Sequence, residues 1–167
     1  FGSIAQAVAP IARALGMRVL VWAPTKTAEE LAAHGCERAG TLDELLGASD
    51  VVSLHCPLIP ETRGLIGARE LGLMKKTAFL INTARGPVVD SAALAKALSD
   101  GVIAGAGIDV FETEPPIPRD HPLFSAPNLV ATPHVAFATK EALEKRAVIV
   151  FENLAAWLDG APENVVR

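Results

Sequence analysis

Apolar positions in this chain follow two rhythms that alternate from one end to the other. Ile4, Val8, Ile11, Ala12 and Leu15 fall on one face of a helix that Gly16 ends, and 17–22 is a compact apolar run of strand length. Short helices are predicted over 28–33 and 42–46, the second capped by Thr41. Asp50 opens the β-branched strand VVSLH, which leads into the loop CPLIPETRG. A helix over 68–74 and a strand over 77–81 follow, and then the helix AALAKALSD, capped by Asp90 or Ser91 and closed by Gly101. VIAGAGID reads as a strand whose small residues permit close backbone approach, and 129–131 as another. Between them, 112–127 is a Pro-rich loop and the one candidate hinge or lid. A long helix over 139–158 ends the pattern, with Leu143, Ala147, Val150, Leu154 and Trp157 on its apolar face. Pro10 sits inside the first helix pattern, where it removes a hydrogen bond at a cost of about 3 kcal/mol and is read as a tolerated kink.

Strands that alternate with helices point to parallel pairing through crossover helices, hence an α/β, doubly wound parallel sheet of the Rossmann type. The expected division is a dinucleotide-binding domain over 1–138 and a C-terminal helix and tail over 139–167. At 167 residues the chain can bury a substantial core, and with 50% hydrophobic but 5% aromatic residues and no Tyr, aliphatic side chains must fill it. A net charge of −4 with scattered basic residues argues against nucleic acid as a partner. No apolar run approaches the roughly 18 residues of a membrane span, so no membrane partner is expected. Cys36 and Cys56 lack metal-ligand spacing, and two thiols without a secretory leader suggest a reducing, cytoplasmic setting. The chain begins without Met, as a fragment whose first strand lies upstream would.

Three polar residues stand out because their neighbours do not explain them. Arg85 in INTARGPVVD, Glu114 in GAGIDVFETEP and His134 in ATPHVAFAT each follow an apolar run of strand length. They should therefore gather at the carboxyl ends of strands, where such sheets bind ligands. A guanidinium, a carboxylate and an imidazole suit chemistry on a 2-hydroxy or 2-oxo carboxylate. At the start, Gly2-Ser3-Ile4-Ala5 matches the second half of a dinucleotide fingerprint, with Ala in place of the third Gly. Gly2 is equally an ordinary turn residue on this evidence alone. The acidic residue expected at the end of the second strand, which bonds the adenosine ribose, is replaced by Ala23. Thr25, Lys26 or Thr27 is then open to a 2′-phosphate, although Lys26 reads equally as a solvated loop charge.

Asn82-Thr83-Ala84-Arg85-Gly86, then Asp109-Val110-Phe111-Glu112-Thr113-Glu114-Pro115, then Pro133-His134 occur in one order. Together with HCPLIPETRGLIG from His55 to Gly67, they resemble the D-isomer-specific 2-hydroxyacid dehydrogenase family. The resemblance runs from the first residue to NLAAWLDGAPENVV. It implies an oxidoreductase that moves a hydride between NAD or NADP, with NAD slightly favoured, and a small D-2-hydroxy or 2-oxo acid of the glyoxylate, hydroxypyruvate or phosphoglycerate type. It implies Arg85 as the substrate clamp, His134 as the general acid–base and Glu114 as the carboxylate that fixes the imidazole tautomer. Gly2, Ser3, Ile4, Cys56, Pro57, Thr62, Thr83, Ala84, Arg85, Asp109 and His134 would line the cofactor, Asp109 by bonding the nicotinamide carboxamide or else by capping its own loop. Cys56 reads as a packing or backbone contact, and Phe137 as a residue that shapes the pocket. Most of a separate substrate domain would lie outside the chain, leaving this piece inactive alone, and a homodimer is the expected assembly. The alternatives are a dinucleotide-sensing binding module without catalysis and an inert truncated homologue.

Overall fold

A computed structural model describes residues 1–113 and 116–165. The chain divides into two compact units, Phe1–Pro133 and His134–Arg167. The first is built on a parallel sheet of β3 (Val51–Leu54), β4 (Phe79–Asn82), β5 (Gly105–Ile108) and β6 (Leu129–Ala131), in that spatial order. Consecutive strands pair as neighbours, each reached by a crossover. The crossovers from β3 to β4 and from β4 to β5 carry helices α4 (Ala68–Leu73) and α5 (Ser91–Ser99). Helix α3 (Leu42–Ala48) precedes β3. The α/β fold with a parallel sheet is as the alternating pattern requires.

Leu46, Val52, Ile66, Leu71, Leu80, Val88, Leu94, Ile103 and Ile108 form the main core. β5 is GAGI because its backbone is crowded on both sides. A β-carbon at Gly105 would stand 2.9 Å from both the Asn128 carbonyl oxygen and the Phe79 ring. Helix starts follow local chemistry: Thr41 accepts from the Glu44 amide at 3.1 Å, and Asp90, not Ser91, accepts from the Ala93 amide at 3.0 Å. Gly101 closes α5 with φ +66°.

A second, smaller sheet pairs β1 (Leu20–Val21) with β2 (Glu37–Arg38), also in parallel. Helix α1 (Ser3–Ala14) precedes β1, and α2 (Ala28–Ala33) links the two strands behind a complete capping box between Thr27 and Glu30. Ala9, Leu31 and Cys36 make the local core here, with Phe1, Val19 and Val21 packed on it. Two expectations need correction. The strand over 17–22 shortens to Leu20–Val21, with Met17 half exposed, because only that stretch finds a β2 partner. The apolar face of α1 is not buried, for Ile4 is 68% and Ile11 63% exposed, and Ala9 instead faces the core. The helix runs through Pro10 as expected, which leaves the Gln6 carbonyl without its usual donor.

The second unit contains α6 (Lys140–Leu158), capped by Thr139, whose hydroxyl accepts from the Ala142 amide at 3.1 Å. The apolar residues expected on its face, Leu143, Val150, Leu154 and Trp157, are exposed. Among the described residues no helix is long and apolar enough to cross a membrane.

Candidate active site

Strand register sets the geometry of the site. Leu54 pairs with Asn82, Asn82 with Ile108 and Ile108 with Ala131. The four strands thus end on one level row, and His55, Thr83, Asp109 and Thr132 leave the sheet along the same carboxyl edge. This is the edge at which open α/β sheets bind ligands, because the divergent loops leave a crevice between them.

At the end of β4, Asn82 is 1% exposed and fully engaged. Its Oδ1 accepts from the Ala84 amide and its Nδ2 donates to the Arg85 carbonyl, both at 3.0 Å. The buried amide therefore shapes the turn Thr83-Ala84-Arg85 and leaves the Arg85 side chain exposed at its rim. Arg85 Nη1 donates to the Ala84 carbonyl at 2.7 Å, which leaves most of the guanidinium fork for an anion. Gly86 follows in a 3-10 turn, Gly86–Val88, and lies directly on the backbone of the next loop. A β-carbon at Gly86 would come 2.0 Å from both C and O of Phe111. Only glycine allows this contact.

Asp109, at the end of β5, is 3% exposed. Its amide donates to the Asn82 carbonyl at 2.9 Å and its carboxylate accepts from the Thr132 hydroxyl. The loop after β3 places Cys56 half-buried, and burial pushes its thiol pKa up, so the sulfur stays protonated near neutrality. Thr62 holds that loop closed: its hydroxyl donates to the Pro57 carbonyl at 2.6 Å and accepts from the Ile59 amide at 3.0 Å. Burial lowers the His55 pKa.

Gly2 caps α1 with no side-chain hydrogen bond, and Gly2, Ser3 and Ile4 are exposed. No atom lies within 4 Å of where a Gly2 β-carbon would sit, and the first turn carries no acidic residue. Free amides and a positive dipole end are thus presented at the start of α1, which fits a pyrophosphate. Ala23 is buried just beyond β1 and offers no carboxylate, while Lys26 is paired with Glu30 at 2.9 Å.

His134 opens the second unit with φ +55°, a left-handed backbone that glycine adopts far more readily. Its ring meets Phe137 edge-on at 5.9 Å, and Arg146 stacks over Phe137 at 5.3 Å. Glu114 lies outside the described residues. Thus Thr83, Ala84, Arg85, Asp109, Cys56, Pro57 and Thr62 stand in the loops of one sheet edge, while Gly2, Ser3 and Ile4 stand at the start of α1. His134 is described within its own unit. Sequence reasoning quoted Asn82 and Gly86 as motif letters but missed what they do. It missed the bonded pair Glu112–His121 altogether, for no periodicity links those positions.

The sequence model of the D-isomer specific 2-hydroxyacid dehydrogenase NAD binding domain matches residues 1–136. The chain belongs to this family. A glyoxylate reductase of Aeropyrum pernix is 47% identical over 167 residues, which is 99% of this chain and 49% of that protein. A hydroxypyruvate reductase of Blautia hydrogenotrophica is 43% identical, over 100% of this chain and 51% of its own length. Among solved structures, the NAD-complexed D-isomer specific 2-hydroxyacid dehydrogenase of Lactobacillus delbrueckii ssp. bulgaricus superposes with a TM-score of 0.85 at 37% identity, covering 99% of this chain and 53% of its own. This dehydrogenase-family chain therefore spans about half the length of the relatives it matches.

Proposed function

We propose that this chain is the dinucleotide-binding part of an NAD(P)-dependent oxidoreductase that interconverts a small 2-oxo acid and its D-2-hydroxy acid. The observation that carries this reading is the level row of strand ends, with Asn82 holding Arg85 at its rim. Relatives named glyoxylate, hydroxypyruvate and glycerate enzymes narrow the acid to two or three carbons.

The amides at Gly2, Ser3 and Ile4 would hold the pyrophosphate. Residues Cys56, Pro57, Thr62, Thr83 and Ala84 would line the nicotinamide half, and Asp109 would meet the carboxamide. When bound, the nicotinamide supplies or accepts the hydride at C2 of the acid. Arg85 clamps the substrate carboxylate with a rigid, always-charged fork. In reduction, the imidazole of His134 gives its proton to the forming C2 hydroxyl, and in oxidation it takes that proton back. Glu114 bonds the other ring nitrogen and favours the charged imidazolium. Cellular placement in the cytoplasm and pairing into a homodimer accompany this reading.

Titration with NADH and with NADPH, followed by nicotinamide fluorescence, tests the binding half of the reading. Turnover of glyoxylate and hydroxypyruvate by the protein expressed from its complete reading frame tests the rest. Binding without turnover of either acid would favour a dinucleotide-sensing module, and the absence of both would leave an inert homologue.

A further inference from the structure

A polar cluster behind Arg85 has no part in the chemistry above. His121 Nε2 lies 3.1 Å from Glu112 Oε2, and the imidazole is only 12% exposed. Its Nδ1 accepts from the Leu123 amide at 3.4 Å, so the proton sits on Nε2 and is donated to the carboxylate. Both ring nitrogens are engaged, and the ring is held edge-on against buried Phe111 at 5.2 Å. The bond between Glu112 and His121 closes a loop of nine residue steps.

The consequence lies on the other side of the same peptide. Gly86 rests on the carbonyl of Phe111, within the distance a single β-carbon would need. The Phe111–Glu112 peptide therefore touches Gly86 through its backbone and His121 through the Glu112 side chain. Whatever fixes Glu112 fixes the floor under Gly86, the residue next to Arg85. A staple serving stability alone would have no reason to seat the guanidinium-bearing turn on its own backbone. We propose that Glu112 and His121 form a latch that positions the Arg85 turn, which makes His121 a positioning residue for binding the substrate carboxylate. This rests on the dehydrogenase reading for the substrate, but the latch itself is a property of the fold.

The test compares His121→Leu, which keeps bulk and removes both nitrogens, with His121→Gln, which keeps a donor near the Nε2 position. Steady-state kinetics with glyoxylate and NADH are run on the protein expressed from its complete reading frame. Hydrogen exchange is read on the peptide over 85–90 of the same samples. There the Val88 and Val89 amides donate to the carbonyls of Arg85 and Gly86 at 3.2 and 3.0 Å. The expected result is a rise in the glyoxylate KM of about tenfold in His121→Leu, the order expected for losing a hydrogen bond to a charged group. The kcat and the NADH Kd should change less than about threefold, and His121→Gln should recover most of the KM. Exchange over 85–90 should quicken by about tenfold or more in the Leu variant alone.

An unchanged KM with only a lower melting temperature would overturn the proposal. So would equal impairment of both variants, or unaltered exchange over 85–90. If the parent turned over neither acid while exchange still responded to His121→Leu, the dehydrogenase reading and the substrate role would fall. The latch on the Arg85 turn would stand.

Discussion

The side-chain amide of Asn82 donates to the carbonyl of Arg85 at 3.0 Å, so a buried residue at the end of a strand dictates where an exposed cation begins. Asn is the side chain that can both accept from the Ala84 amide and donate to the Arg85 carbonyl from one buried position. Asn82→Leu keeps the volume and leaves both backbone groups unpaired. The expected loss is about 1–3 kcal/mol for each group left buried and unsatisfied, read as a lower urea midpoint. Asn82→Asp keeps the acceptor but turns a carboxylate oxygen toward the Arg85 carbonyl. It should raise KM for the 2-oxo acid more than it lowers the melting temperature.

Gly86 makes a harsher prediction. Its missing β-carbon leaves room for the Phe111 carbonyl, and the Glu112 nitrogen would lie at 2.6 Å from that carbon. Backbone cannot swing aside as a flexible side chain can. Gly86→Ala should destabilise by about 1–3 kcal/mol or more, the range for overpacking a dense interior. Thermal unfolding of the Ala variant beside the parent checks this, and an unchanged midpoint would mean that the turn and the 111–112 segment do not touch in solution.

How much of this was legible beforehand divides along physical lines. β4 was readable because its apolar run is bounded by Lys75-Lys76 and by Asn82, although the Ala78 amide donates to the Lys75 carbonyl in a turn that delays the strand to Phe79. β2 was not readable, since Glu37 and Arg38 are exposed and carry no apolar alternation. Backbone bonds from Glu37 and Ala39 to the Val19 and Val21 carbonyls, both 2.9 Å, hold it. The helical face of α1 was visible as a pattern, but whether an apolar face is covered depends on neighbours that periodicity does not name. In the site, Arg85 stood out as a polar residue after an apolar run, and Asp109 came through the family resemblance. Asn82, Gly86 and Glu112 did not, because each acts through a partner brought near only by the register of β4 and β5 or by the closing of a loop.

The carboxylate of Glu112 predicts a response to acid. Burial raises its pKa, but hydrogen bonds from Ser91, the backbone and His121 outweigh that and leave it below the ordinary 4.5. A carboxyl group held lower in the folded state stabilises the fold fully above its unfolded value, and that gain is lost as pH falls through the folded value. The window therefore lies below about pH 5. Glu112→Gln should be less stable than the parent at pH 7, with the gap narrowing toward pH 3 in urea titrations. Partial exposure keeps the gap small. A gap that widened in acid would contradict the assigned bonds.

Cofactor choice turns on Ala23, buried where a carboxylate would bond the adenosine ribose. Lys26 already faces Glu30 at 2.9 Å, so its charge is largely compensated. Lys26→Ala should therefore change NADPH affinity by less than about threefold. Ala23→Asp should lower the NADPH affinity relative to NADH by about tenfold or more, since a carboxylate repels a 2′-phosphate at close range. Parallel fluorescence titrations with the two dinucleotides decide it.

His134 sets its proposed catalytic role against backbone comfort. At φ +55° a side chain with a β-carbon is held in a region that costs about 1–2 kcal/mol relative to the right-handed one, and glycine bears little of that cost. Both His134→Ala and His134→Gly delete the imidazole with its contact to Phe137, so their difference isolates the backbone. The Gly variant should be the more stable of the two by about 0.5–1 kcal/mol, the relief being partly offset by the freer unfolded chain. Both should lose about 10²–10⁴-fold in kcat, the usual worth of a general acid–base, with NADH binding retained. A residue that a fold would replace with glycine for its own stability, yet whose loss removes turnover and spares cofactor binding, is held in place by chemistry. Chemical denaturation and single-turnover kinetics on the same pair of variants separate the two effects, and retention of kcat in either would remove His134 from the mechanism.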